Sequence, residues 1–443
     1  MSFHPEEATE RFPPVRSITQ PPSHRIRRSI PQALNAALWW GELAFVAAGA
    51  LGVLVALLEN ALGGLSLGAA TVLRAGGLYF FGFNHVRIDV TVAAPDVDGP
   101  LFGLSVALLT GTAVAVGLLF VGGRSAGRRA GGGAVARAAW GSLCAIPYAA
   151  LSLLVSFAVG IGFALPRGFE GGAVTVAVSH VQAFLWPLAI GAIAGAVGGL
   201  WSLREERDAP SLLDAAVRGG WLMLAWGMGL AFVGLLVLAA AKPGSTRAYL
   251  DRTAGGGASG VGLMLHHALA LPNQSMGVLL PAMGGCDHLT GVGEPSEVLC
   301  YGRFPVGGDP GAALLELTGV APSALDSPLD AIEFEPAPRG FLLFLLVPVG
   351  ATLIGGLAAG SGQPSTWMGV AGGALSGLVF ALLVVVASVL AGISLHVGVQ
   401  APTTATLGPD PAGGGAAALA WGVGGGVVGG LLSRLRSDRE RSR

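Results

Sequence analysis

Apolar positions in this chain run in long blocks, parted by short segments rich in glycine, proline and arginine. A membrane-spanning helix needs about 20 mostly apolar residues. Eight segments meet that length: Ala36–Leu58, Leu101–Gly122, Ala139–Leu165, Ala177–Leu200, Gly220–Ala241, Gly340–Ala359, Met368–Leu395 and Pro411–Leu432. The last follows Asp410, a capping residue before a first-turn proline. A ninth stretch, Gly257–Met283, is broken at Leu271-Pro272-Asn273 and again at Pro281. Proline removes a donor and disfavours helix at the residue before it. This stretch therefore reads as a re-entrant hairpin that enters and leaves on one side. The pattern predicts an all-α polytopic membrane bundle of about eight transmembrane helices, with one broken hairpin.

Two shorter segments alternate instead. Val86, Ile88, Val90 and Val92 share one face of a strand pattern, and Val174, Val176 and Val178 repeat it. The two segments can pair in a small extracytoplasmic β element; the competing reading makes Val174–Val178 the start of a tilted helix. The chain then divides into a polar tail (1–30), a five-helix region (31–241) with an outer segment (59–99), and a large loop (242–339). A three-helix region (340–432) and a basic tail (433–443) complete it. The two halves differ in loop size, and no internal repeat is read from them.

Composition supports the membrane reading. Of 443 residues, 52% are hydrophobic and 12% charged, about half the charge of an average soluble domain. Mean hydropathy is +0.67. A soluble enzyme, a disordered chain and a basic nucleic-acid binder are excluded. The net charge of -1 matters less than where the charges fall. With the N-terminus inside, Arg11, Arg16, Arg25, Arg27, Arg28, Arg124, Arg128, Arg129, Arg137, Arg204, Arg207, Arg218, Arg434, Arg436, Arg439, Arg441 and Arg443 are cytoplasmic. That leaves 8 of the 25 basic residues for the larger outer surface, as the positive-inside rule requires. Trp39, Trp40, Trp140, Trp201, Trp221 and Trp367 fall at the inner helix ends, where such rings favour the headgroup layer. A multi-pass plasma-membrane protein with both termini cytoplasmic is expected, its partners the bilayer and other membrane proteins or a second copy.

Candidate chemistry is sparse. Cys286 and Cys300, on the oxidising side, read as a disulfide. The alternative, a metal held by Cys286, Asp287, His288 and Cys300, lacks the paired spacing of a zinc site. From Gly284 to Arg339 the loop holds nine acids against Arg303 and Arg339, a solvated face or a dock for a basic partner. His266, His267, Pro272 and Asn273 would line any cavity at the hairpin. Glu42, the one acid inside a predicted span, is a functional candidate by default, though an arginine at the inner interface would pair with it. Ser259 in Gly-Ala-Ser-Gly and His396 superficially suggest a rhomboid-type protease, but two spans separate them. GxxxG spacings at Gly191/Gly195/Gly199, Gly356/Gly360, Gly373/Gly377 and Gly422/Gly426/Gly430 predict close helix packing and possible oligomer faces. No signature for a cofactor, a metal or catalysis stands in a usable context.

The order Leu269-Ala270-Leu271-Pro272-Asn273, the apolar run Gly340–Gly350, Leu390-Ala391-Gly392 and Gly408-Pro409-Asp410-Pro411 resembles the PerM-like polytopic membrane proteins of actinobacteria. The resemblance covers most of residues 35–435 by layout; the loop with Cys286 and Cys300 departs from it. It implies a link to cell division and envelope integrity and carries over no catalytic residue. The expectation is a non-enzymatic membrane protein supporting envelope processes, with a permease using the hairpin as the alternative.

Overall fold

The computed structural model describes residues 23–62, 67–94, 97–164, 173–203, 211–241, 269–290, 296–300, 303–305, 334–336, 339–397 and 403–441. Its first half runs α1 (Ser23–Leu62), α2 (Ala69–Phe83), β1 (Ile88–Ala94), β2 (Val97–Val106), α3 (Leu109–Ala130), α4 (Ala134–Ser142), α5 (Ala145–Ser156), β3 (Ile161–Ala164), β4 (Ala173–Val178) and α6 (His180–Trp201). The second half runs α7 (Leu212–Ala241), α8 (Leu271–Ala282), β5 (Cys286–Thr290), β6 (Ser296–Cys300), β7 (Arg303–Pro305) and β8 (Phe334–Pro336). A 3₁₀ turn (Arg339–Leu345) then leads to α9 (Leu346–Gly360), α10 (Thr366–Ala391), β9 (Ile393–Val397), β10 (Thr403–Pro409) and α11 (Pro411–Arg441). Among the described residues, eight helical stretches are long and apolar enough to cross a membrane, α4 and α5 counting together as one. With all eight crossing, every strand falls on one side and both termini on the other.

The second half repeats the first. Apart from the inserted β7 and β8, each half is a span, a short helix, a hairpin, two spans, a second hairpin and a last span. The hydrogen bonds at the junctions repeat as well. At the end of α2, His85 and Val86 donate N–H to the Gly82 and Phe81 carbonyls; at the end of α8, Gly284 and Gly285 donate to Pro281 and Leu280. Ser179 N–H donates to the Arg87 carbonyl before α6, as Asp410 N–H does to Cys286 before α11. Ser202 Oγ donates to the Gly199 carbonyl and Ser433 Oγ to the Gly430 carbonyl. The chain is therefore an internal duplication of a four-span unit, which corrects the expectation of no repeat. Among the described residues α7 packs on α9 and α10, so helix contacts group the spans four and four.

Glycine explains how each bundle closes. A side-chain carbon on Gly195 would collide with the Gly141 carbonyl, and one on Gly123 or Gly141 with the Gly195 carbonyl. The second half repeats this three-helix junction: a carbon on Gly426 would strike the Gly373 carbonyl, and one on Gly356 or Gly373 the Gly426 carbonyl. Without lipid-excluding drive, such close backbone approach supplies the packing. The GxxxG rows thus pack helix on helix inside each bundle, as their spacing predicts. Each half encloses its own core, around Phe80, Phe81, Leu119 and Tyr148 in one and Met223, Met276, Leu279 and Phe380 in the other.

Among the described residues the strands form one ten-stranded sheet in the order β3-β4-β1-β2-β9-β10-β5-β6-β7-β8. β1 pairs antiparallel with β4, placing Val90 opposite Val176. The joint between the halves is β2 on β9, with Leu104 opposite Leu395. Four predicted spans were too long at the sheet side: Leu101–Val106, Ile161–Ala164 and Ile393–Val397 are strands, and Ala177–Val178 end β4. In each case an apolar strand runs into an apolar helix, and periodicity alone does not mark the change. The last candidate span is Pro411–Ser433, and the helix continues beyond it through the basic segment to Arg441.

Candidate functional site

The two halves meet at few places. Among the described residues, the helix packing between them is concentrated where α3 touches α8, beside the β2–β9 joint. There Asn273 Oδ1 accepts from Leu109 N–H at 3.0 Å, while its Nδ2 donates to the Ala107 carbonyl at 2.6 Å. Thr110 Oγ1 donates to the Leu269 carbonyl at 2.8 Å. The start of α3 has no capping side chain of its own; Asn273 from the other half supplies one, taking up an orphan helix donor. Pro272 lies in the first turn of α8, where its missing N–H costs nothing. The sequence break is therefore a helix start. Residues 257–268 of the expected hairpin, with Ser259, His266 and His267, lie outside the described residues.

Below this clasp, Cys286 and Cys300 are joined by a disulfide with S–S 2.05 Å, so neither sulfur is free for a metal. Asp287 turns from β5 towards α8, with Oδ2 3.3 Å from where a carbon on Gly277 would lie. Its Oδ1 is buried without a hydrogen-bond partner among the described residues. Desolvation pushes its carboxyl up to about 7. Directly across on β10 stands Pro409, which has no N–H to offer. The junction bonds match Cys286 with Arg87, so the next residue, Asp287, matches Ile88, which packs against the first-half core.

The same matching exposes a polar core in the first half. Tyr148 Oη donates to Asn84 Oδ1 at 2.7 Å, and Asn84 Nδ2 donates to the Phe80 carbonyl. Matching by the glycine and junction contacts puts Met283 and Phe380 at the corresponding places, both in the second core. His85, at φ 58, stands where Gly284 takes φ 90. Its ring packs edge-on to Trp186, it is 8% exposed, and Nδ1 lacks a partner. Burial lowers its tendency to take a proton. Because the fold closes with Met283 and Phe380, it does not require the polar pair. Tyr148→Phe alone should cost about 1–3 kcal/mol by stranding Asn84. Asn84→Met with Tyr148→Phe should recover most of that loss, measured as unfolding in detergent.

The remaining candidates are dispersed. Glu42 is exposed on α1, away from the sheet joint. His396 on β9 lies 2.9 Å from Thr404 Oγ1 through Nδ1. Arg137, counted in the sequence as a loop charge, is buried and donates to the Ser202 carbonyl at the end of α6. Glycine at the matching Gly369 shows that no sequence period announces this contact. Among the described residues no group of three or more His, Cys, Asp or Glu could hold a metal.

These features define the chain as a multi-pass membrane protein built from two four-span units under a shared sheet. No family model, no curated protein and no solved structure matches it.

Proposed function

We propose that the chain is a non-enzymatic plasma-membrane scaffold, both termini cytoplasmic, whose outer sheet supports cell-envelope or division processes. One observation carries the reading: a single sheet is rooted on both bundles, while the bundles themselves close through glycine contacts. Such a sheet is held at a fixed height over the bilayer and offers its surface to envelope partners. The PerM-like layout of residues 35–435 points the same way. Proline at Leu104 and Leu395 breaks the β2–β9 ladder without touching the spans. The doubly substituted chain should insert normally, lose crosslinks to wall-synthesis or division proteins, and fail to support envelope integrity. Full complementation by that chain, with no such crosslinks in the wild type, would sink the proposal.

A permease is the second reading, favoured by the duplication. Transporters built from repeats of one sense bind substrate between the repeats, and here, among the described residues, the helices of the two halves meet chiefly where the span α3 touches the short helix α8. Asn273→Cys at that boundary should then react with water-borne thiol reagents in the membrane. Complete protection would count against it.

A further inference from the structure

We infer that Asp287 is a proton-binding site that couples the pH on the sheet side of the membrane to the clasp between the two halves. The inference goes beyond the scaffold reading and stands on placement. Asp287 occupies the position that Ile88 fills in the other half, so a carboxyl replaces a core side chain at an equivalent point. Its Oδ1 is buried without a partner, and Gly277 supplies room for Oδ2 on the α8 side. Gly277 lies one helical turn from Asn273, hence on the same side of α8. The helix that covers the carboxyl is therefore the helix that caps α3 in the opposite half.

Among the described residues, the elements packed on Asp287 supply no counter-charge to hold an ionised carboxyl. Helix α8, Leu271–Ala282, carries no titratable residue, and neither does β10, Thr403–Pro409. On β5 itself the neighbours are the disulfide-bonded Cys286 and His288. On β6, Glu297 stands in register with His288, and Leu299 with Asp287. Asp410 beyond β10 is committed to the first turn of α11, accepting from Ala412 and Gly413 N–H. Protonation neutralises the buried oxygen; ionisation leaves a bare charge beneath α8, and the helix must lift or admit water.

The sign follows from linkage. The folded carboxyl titrates near 7 and the unfolded one near 3.8. Between those values the folded state holds the extra proton, so the seating of α8 weakens as pH rises through that window and stays weak above it. Full-length protein in lipid nanodiscs tests this in two measurements. Difference infrared spectra should show a protonated carboxyl that titrates near pH 7 and is missing in Asp287→Asn. Hydrogen-exchange protection of residues 107–110 and 271–282, corrected for intrinsic rates, should fall about tenfold from pH 6 to pH 8 in the wild type. Asp287→Asn and Asp287→Ile, which installs the residue of the other half, should both remove that fall, while His288→Gln keeps it. A carboxyl midpoint below pH 5, an unchanged fall in Asp287→Asn, or its loss in His288→Gln would overturn the proposal.

Discussion

Gly426→Val should prevent the second bundle from closing, with a loss of about 3 kcal/mol or more, beyond the usual range for one added methyl in a core. The residue sits where α9, α10 and α11 touch. A carbon on Gly426 would run into the Gly373 carbonyl, and a carbon on Gly356 would lie 2.8 Å from the Gly426 Cα. These neighbours are backbone atoms of long helices, so relief requires moving a whole helix rather than turning a side chain. Gly195→Val should behave alike, because the Gly141 carbonyl and Ser142 Cα stand in the same relation to it. Gly424→Ala is the internal control, as nothing lies within 4 Å of a carbon there. Expression level and thermal unfolding in detergent distinguish these outcomes. Near-equal stability of Gly426→Val and Gly424→Ala would mean that the junction does not hold the bundle.

The same junction shows what was legible in the sequence. The rows Gly191/Gly195/Gly199 and Gly422/Gly426/Gly430 stood out by spacing, and the spans by length. Their being copies of one another did not stand out. The repeat shows in backbone-to-backbone contacts, where only glycine fits, and leaves no mark where any apolar residue serves. The alternating valines of β1 and β4 announced a pair, since one face alternates against the other. By contrast β2, β3 and β9 continue apolar helices and carry no separate signal. Asn273 was singled out beside a proline-linked break; the break marks the start of α8, and its role as a cap on α3 depends on a contact across the two halves. The Asn84–Tyr148 pair, the strained His85 and the buried Arg137 were invisible for a related reason. Each is unusual only against its counterpart in the other half.

That comparison also sets the expectation for the disulfide, which has no counterpart in the first half. Arg87 stands where Cys286 does, and its guanidinium pairs with Asp89 at 2.7 Å instead. The chain-entropy model gives about 3 kcal/mol for closing a loop of about 15 residues. The bond spans a separation of 14 and fixes β5 to β6. Because the Cys286 carbonyl receives the Asp410 N–H that begins α11, loosening β5 also loosens the start of the last span. Cys286→Ser with Cys300→Ser should therefore lower stability by about 3 kcal/mol. Hydrogen exchange should rise first in β5, β10 and the opening turn of α11, while β1 and β4 are unaffected. Cys144→Ser, at a buried free thiol, is the control for the substitution itself. Wild-type protein taken from cells under acid quench should show two blocked cysteines and one free thiol. Three free thiols would place the sheet on the reducing side of the membrane and reverse the proposed orientation, since thiols there are kept reduced.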